Sequence, residues 1–312
     1  MSSTGKSYAF IFPGQASQYV GMGRALYEAF ESVRELFQRS DELANRKLSR
    51  LCFEGPMEEL TSTINAQPCI YMVSYSIFML LSERGLHPDY VAGHSLGEWT
   101  AGAAAGFYDF ETGLQLVLKR AELMNDAPVG AMAAIIGCSE REVLELCKRA
   151  GEKGIIVTAN FNSPKQIVLS GERPAIEEAV RLAREFGAQR AVMLRVSGAF
   201  HSPLMKPVQV QLAQMLMNVQ FHNARIPLVA NVTARPVQDG STMKDLMVKQ
   251  LTAPVRWVES IRWLWAHGVR TFVEIGPRKI LSQLVRQTIP EACAIQVDTP
   301  DGLEAVTATL MP

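Results

Sequence analysis

Between Asp89 and Gly106 the chain passes from a short apolar run, through Gly93-His94-Ser95-Leu96-Gly97-Glu98, into a stretch rich in Ala and Gly. A serine with a glycine two residues to either side, set between a buried strand and a small-residue helix, has the sequence form of a nucleophile elbow. Such a turn needs glycine, which tolerates positive φ and lets neighbouring elements approach closely. It projects the serine Oγ into the open and aims backbone N–H groups at a reacting carbonyl oxygen. At average composition a chain of this length shows the pattern only ~0.1 times by chance. An ordinary turn serine between glycines is the competing reading, so the rest of the chain has to decide.

Short apolar strands alternate with amphipathic helices over most of the length. Strand candidates are Tyr8 to Phe12, Val91 to Ala92, Leu228 to Ala230, Thr271 to Ile275 and Ala294 to Val297. The alternation predicts an α/β fold, a parallel sheet with helices on both faces. From Gly130 to Val196 the rhythm changes. Strands are predicted at Ala131 to Ile136, Ile155 to Ala159, Gln166 to Leu169 and Gln189 to Val196, with helices at Glu140 to Ala150 and Pro174 to Phe186. That β-α-β-β-α-β order is the ferredoxin-like unit. We therefore expect a large domain made of residues 1–129 and 200–312, with a small ferredoxin-like subdomain, 130–199, inserted into it.

With 312 residues, 48% of them hydrophobic, the chain can bury a large core. Its formal net charge is zero, so no global field draws it to nucleic acid or an acidic membrane. Five scattered cysteines, Cys52, Cys69, Cys138, Cys147 and Cys293, read as reduced core residues of a cytoplasmic protein. No His or Cys cluster has metal spacing, so no metal site is expected. The start, Met1 to Lys6, lacks the length and cleavage site of a signal peptide, and Lys6 has the wrong spacing for a P-loop. The apolar run Pro68 to Leu81 reads as a buried helix too short to span a bilayer.

A serine nucleophile needs a base, and the chain holds five histidines. His94 adjoins Ser95, where side chains diverge in a tight elbow. His201 stands out because Gly198-Ala199-Phe200-His201-Ser202-Pro203 puts it after a strand and at a helix start. No aspartate lies nearby in sequence to orient it, which leaves that role to a backbone carbonyl. Phe12-Pro13-Gly14-Gln15 follows the first strand at the carboxyl edge where α/β sheets bind ligands, and is either a plain turn or the source of an oxyanion-binding N–H at Gln15, paired with Leu96. Arg120, on a helix from Asp109 to Asn125, is either a solvated helix-end charge or a guanidinium fork for a carboxylate.

These pieces resemble the malonyl-CoA:acyl carrier protein transacylases, including the free-standing acyltransferases that serve polyketide synthases. The resemblance runs in order through Phe12-Pro13-Gly14-Gln15, Gly93 to Glu98, Arg120, Gly130 to Ala134, Asn160 to Pro164 and Gly198 to His201. It continues through Asn231 to Ala234, Pro254 to Trp257 and Glu274 to Pro277, nearly the whole chain. It implies an α/β-hydrolase-like large domain, Ser95 as the acylated nucleophile and His201 as its general base and acid. It further implies that Gln15 and Leu96 form the oxyanion hole and that Arg120, Phe200 and Asn162 bind substrate. The main-chain carbonyl of Gln250 would orient His201.

The implied reaction moves malonyl from malonyl-CoA to the phosphopantetheine thiol of an acyl carrier protein, in fatty acid or polyketide biosynthesis, by a ping-pong route with no cofactor. The alternatives are a thioester hydrolase that clears carrier proteins and a transacylase for another acyl unit. Leu96 and Ala199-Phe200 look like the malonyl pattern, whereas Trp99 departs from the tyrosine or phenylalanine more usual there. The expected partners are the coenzyme A thioester and an acidic carrier protein, docking on cations such as Arg190, Arg195, Arg278, Lys279 and Arg286. No apolar patch or heptad is evident, so a monomer is expected.

Overall fold

The computed structural model describes residues 7–196 and 198–311. Met1 to Lys6 and Ser197 lie outside them. The strands are β1 (Tyr8–Phe12), β2 (Tyr90–Gly93), β3 (Ala131–Ile136), β4 (Ile156–Ser163) and β5 (Gln166–Gly171). They continue with β6 (Arg190–Met193), β7 (Leu228–Val229), β8 (Pro236–Val237), β9 (Thr271–Ile275) and β10 (Cys293–Val297). Six of them form one sheet in the order β10-β9-β1-β2-β7-β8, parallel except where β8 runs against β7. The fold is mixed α/β with a parallel sheet. Side chains of β1 alternate across it: Phe10 and Phe12 enter the larger core, and Ala9 and Ile11 enter the core against Trp257, Ile261 and Leu264.

The other four strands form a wholly antiparallel sheet, β4-β5-β3-β6, with the helices Glu140–Ala150 and Arg173–Leu182 packed on it. The first helix starts with a capping box, Ser139 with Glu142. The chain leaves and rejoins the parallel-sheet part at one place, where Val129 bridges Gly198. Strand β6 is shorter than the predicted Gln189 to Val196. Beyond Leu194, whose N–H still donates to the Met132 carbonyl, the chain lifts away to line a cleft.

Two expectations are corrected. The apolar helix is not confined to Pro68 to Leu81 but runs Thr63–Glu83, 21 residues, and by length and composition could cross a membrane. It starts earlier because Pro68 is tolerated inside it. Lacking an N–H, Pro68 leaves the Ile64 carbonyl open, and Arg46 Nη2 donates to that oxygen at 2.7 Å. Here 72% of its apolar window is buried in the protein, against the helix Phe110–Asn125 among others. The cysteines are all free, but not all are core: Cys293, first residue of β10, is exposed.

The helix Leu96–Ala105 is buried along its whole length between the sheet and the helix Thr63–Glu83. Small residues make that approach feasible. A Cβ on Gly97 would stand 1.9 Å from the Phe12 carbonyl oxygen, so only glycine lets the helix start this close to β1.

Candidate active site

Strand β2 ends at Gly93 and the helix begins at Leu96, leaving two residues to reverse the chain. Ser95 sits at φ 53° and ψ −107°, a conformation that costs a non-glycine residue ~1–3 kcal/mol and persists because its surroundings fix it. Its N–H donates to Asn231 Oδ1 at 2.9 Å, and its carbonyl accepts from Gln250 Nε2 at 2.9 Å. The Oγ is thereby presented to His201 Nε2 at 2.7 Å. On the other side of the imidazole, Nδ1 lies 2.9 Å from the Gln250 carbonyl oxygen. A carbonyl can only accept, so Nδ1 carries the proton and Nε2 is left to accept from the serine hydroxyl.

The turn after β1 reaches the same place. A Cβ on Gly14 would stand 2.5 Å from the His94 carbonyl oxygen, which measures how tightly this turn lies on the elbow. Ser17 closes the turn onto the Gly14 carbonyl, and the Ala16 N–H donates to Gln18 Oε1 at 2.8 Å. Among the described residues, the backbone N–H groups of Gln15 and Leu96 donate to nothing. Both residues line the cavity that contains Ser95.

Arg120 comes from the helix Phe110–Asn125, capped by Asp109, and is only 1% exposed. Its Nη1 donates to Gln67 Oε1 at 2.5 Å; its Nη2 reaches Gln250 Oε1 at 3.2 Å and Ser95 Oγ at 3.3 Å. Its Nε has no partner, and among the described residues no carboxylate forms an ion pair with it. Glu98 acts on this charge across the Gln250 amide but is not bonded to it, so a buried cation with no directly paired anion stands beside the nucleophile. The cavity over these groups is about 240 Å³, walled by Met124, Met132, Leu194, Val196 and Phe200.

An acyl transferase domain model matches residues 9–306. The chain belongs to the acyl transferase domain family. It is 44% identical over 306 residues to the malonyl CoA-acyl carrier protein transacylase of Bacillus subtilis, covering 97% of this chain and 96% of that protein. The solved acyl-carrier-protein-S-malonyltransferase of Bartonella henselae superposes with a TM-score of 0.95 at 41% identity, covering 97% of this chain and 99% of that one. A malonyl-transacylase solved in complex with a type II polyketide-synthase acyl-carrier protein gives a TM-score of 0.95 at 35% identity, over 97% and 99% of the two chains.

In this acyl transferase, Ser95, His201, Gln15, Leu96, Arg120, Phe200 and Gln250 converge on one site. Phe200 is folded over Gly198, where a Cβ would meet its ring at 2.6 Å. Asn162 is placed elsewhere. Its Oδ1 lies 2.8 Å from His94 Nε2, and Asn160 lines the cavity instead. Register shifts on either side of Asn160 and Phe161 break the regular alternation that would have given residues 160 and 162 one face. Trp99 is fully buried behind the site, its Nε1 donating to Gln250 Oε1 at 3.4 Å and its ring under the Arg120 guanidinium. Of the docking cations, Arg195 is exposed at the cavity rim, while Arg286 donates to the Ala294 carbonyl. Glu98, Gln67, Asn160 and Asn231 were given no role from sequence. Only Glu98 carried a signal, as the one charge in a helix of small apolar residues.

Burial and the nearby Arg120 charge lower the His201 pKa to about 3, outweighing the Gln250 carbonyl, which favours the imidazolium. Burial likewise lowers Arg120 to about 10, so it stays cationic at neutral pH. The base of the free enzyme is therefore neutral and competent throughout the mildly acidic range. Acylation measured as kcat/KM should be flat between pH 5 and 7, without the inflection near ~6.5 that an ordinary histidine gives. A half-maximal rate near that pH would show that His201 titrates normally.

Proposed function

We infer that this chain is a malonyl-CoA:acyl carrier protein S-malonyltransferase working through a Ser95 ester. The observation that carries this is the buried guanidinium of Arg120, bonded to no carboxylate and touching the nucleophile, which fits an acyl group ending in a carboxylate. Ser95 gives its proton to His201 Nε2 as Oγ attacks the thioester carbonyl. The oxyanion collects the free N–H groups of Gln15 and Leu96. On collapse the C–S bond breaks, and the sulfur takes the proton from His201 as coenzyme A leaves. In the second half the phosphopantetheine thiol gives a proton to His201, attacks the malonyl ester, and Ser95 Oγ leaves with that proton. No step calls for a cofactor.

Substrate specificity follows from the walls. Arg120 answers the free carboxylate, and Phe200 fills the space that an α-substituent would need. We read the carrier protein as approaching over Arg195 at the rim, and the product as feeding fatty acid or polyketide assembly in the cytoplasm. The antiparallel order β4-β5-β3-β6 supports reading 130–199 as a ferredoxin-like subdomain inserted into an α/β-hydrolase-like domain of residues 1–129 and 200–312.

A thioester hydrolase would use the same serine and histidine but would have no need of a carboxylate clamp. Discharge of the malonyl enzyme separates the two. A pantetheinyl thiol should empty it at least ~100-fold faster than buffer alone, the advantage of a positioned acceptor over water. Equal rates would make it a hydrolase.

A further inference from the structure

Glu98 is fully buried, yet its carboxyl is answered by amides rather than by a cation. Oε1 accepts from the Asn231 N–H at 2.6 Å, and Oε2 accepts from Gln250 Nε2. Burial pushes this carboxyl up to about 8, against those bonds and the Arg120 charge. Yet both of its oxygens face N–H donors, the arrangement of an ionised carboxylate, and it is this form that bears on Gln250. If it only anchored Asn231, a neutral amide would serve.

We propose that Glu98 fixes which way the Gln250 amide faces, and through it where Arg120 points, so that Glu98 is a positioning residue for carboxylate selection. The two ends of a Gln side chain have nearly the same shape and opposite chemistry, so partners alone decide its orientation. Nε2 is directed to two acceptors, Glu98 Oε2 and the Ser95 carbonyl at 2.9 Å. Oε1 is thereby turned to two donors, Arg120 Nη2 at 3.2 Å and Trp99 Nε1 at 3.4 Å. Turned over, the amide would set its own N–H groups against both of these and push the guanidinium away from Ser95. The Gln250 main-chain carbonyl would still hold His201. The main-chain carbonyl of Gln250 orients His201, while its side chain meets both Arg120 and the Ser95 carbonyl, so the side-chain amide bears on selection and on the elbow together.

This inference rests on Arg120 being the carboxylate clamp, and parallel loading with malonyl-CoA and acetyl-CoA separates the two claims. In Glu98→Gln the new amide must keep its oxygen toward the Asn231 N–H, so its NH2 meets the NH2 of Gln250 and the latter turns over. Both loadings lose the bond to the Ser95 carbonyl, but malonyl loading should fall about tenfold further than acetyl loading, the scale of one lost hydrogen bond to a charged group. Equal loss of both, or an unchanged malonyl-to-acetyl ratio, overturns the relay. A wild-type enzyme without malonyl preference overturns the clamp instead. If Glu98→Gln does not fold, Gln250→Met decides by the same ratio, since it removes the amide and keeps the carbonyl that orients His201.

Discussion

Replacing Arg120 with alanine should lower malonyl loading of Ser95 by ~30- to 3,000-fold, the range for losing one side of a buried charge pair. Acetyl loading should stay within a few-fold of wild type or improve. The asymmetry follows from geometry. Arg120 touches Ser95 Oγ only through one long hydrogen bond of 3.3 Å, whereas His201 holds the same oxygen at 2.7 Å, so activation of the nucleophile survives without the guanidinium. Removing Arg120 also removes a positive charge that lowers the His201 pKa, which makes the imidazole a stronger base. The substitution deletes a buried cation bonded to no carboxylate, and Glu98, whose pKa the Arg120 charge lowers, can take up a proton instead, so the protein should remain folded. Parallel stopped assays with the two thioesters measure the effect, and equal loss with both would reject the clamp.

Ser95→Ala should cost ~10⁴-fold or more in transfer to a carrier thiol, because nothing else in the cavity can hold the acyl group between the two half-reactions. The oxyanion groups on Gln15 and Leu96 are backbone N–H groups and would remain in place. Binding of malonyl-CoA should therefore persist in the variant while turnover is lost, which calorimetry and a transfer assay would separate. Transfer at more than a few per cent of wild type would mean that the thiol attacks the thioester directly.

The parts of this site legible in the sequence are those written into local pattern. The elbow needs glycines at fixed spacing, and Gly93 and Gly97 stand where a Cβ would collide with backbone. Strands β1 and β3 fall at the predicted residues because their apolar runs are bounded by polar or glycine positions. The helices Arg24–Ala29, Leu48–Glu54 and Met57–Thr61 are too brief for a period to emerge, whereas Glu31–Ala44, with Val33, Leu36, Phe37 and Ser40 buried, carries a helical period that was missed. The partners of Arg120 were also hidden. Gln67 lies 53 positions away and Gln250 lies 130 away, and their meeting is fixed by packing between helices rather than by any local spacing. Asn162 came only from the resemblance, with no local pattern behind it, and the register shifts in β4 leave Asn160 rather than Asn162 lining the cavity.

The central claim is that Ser95 carries a malonyl group between two thiols. Intact-mass analysis of the wild-type chain mixed with malonyl-CoA, followed by peptide mapping and then addition of holo carrier protein, tests it most directly. The account predicts a single malonyl adduct on the peptide containing Ser95, which vanishes as the carrier protein gains the same mass. No adduct on the wild-type chain, or one that maps elsewhere and survives in Ser95→Ala, would contradict it.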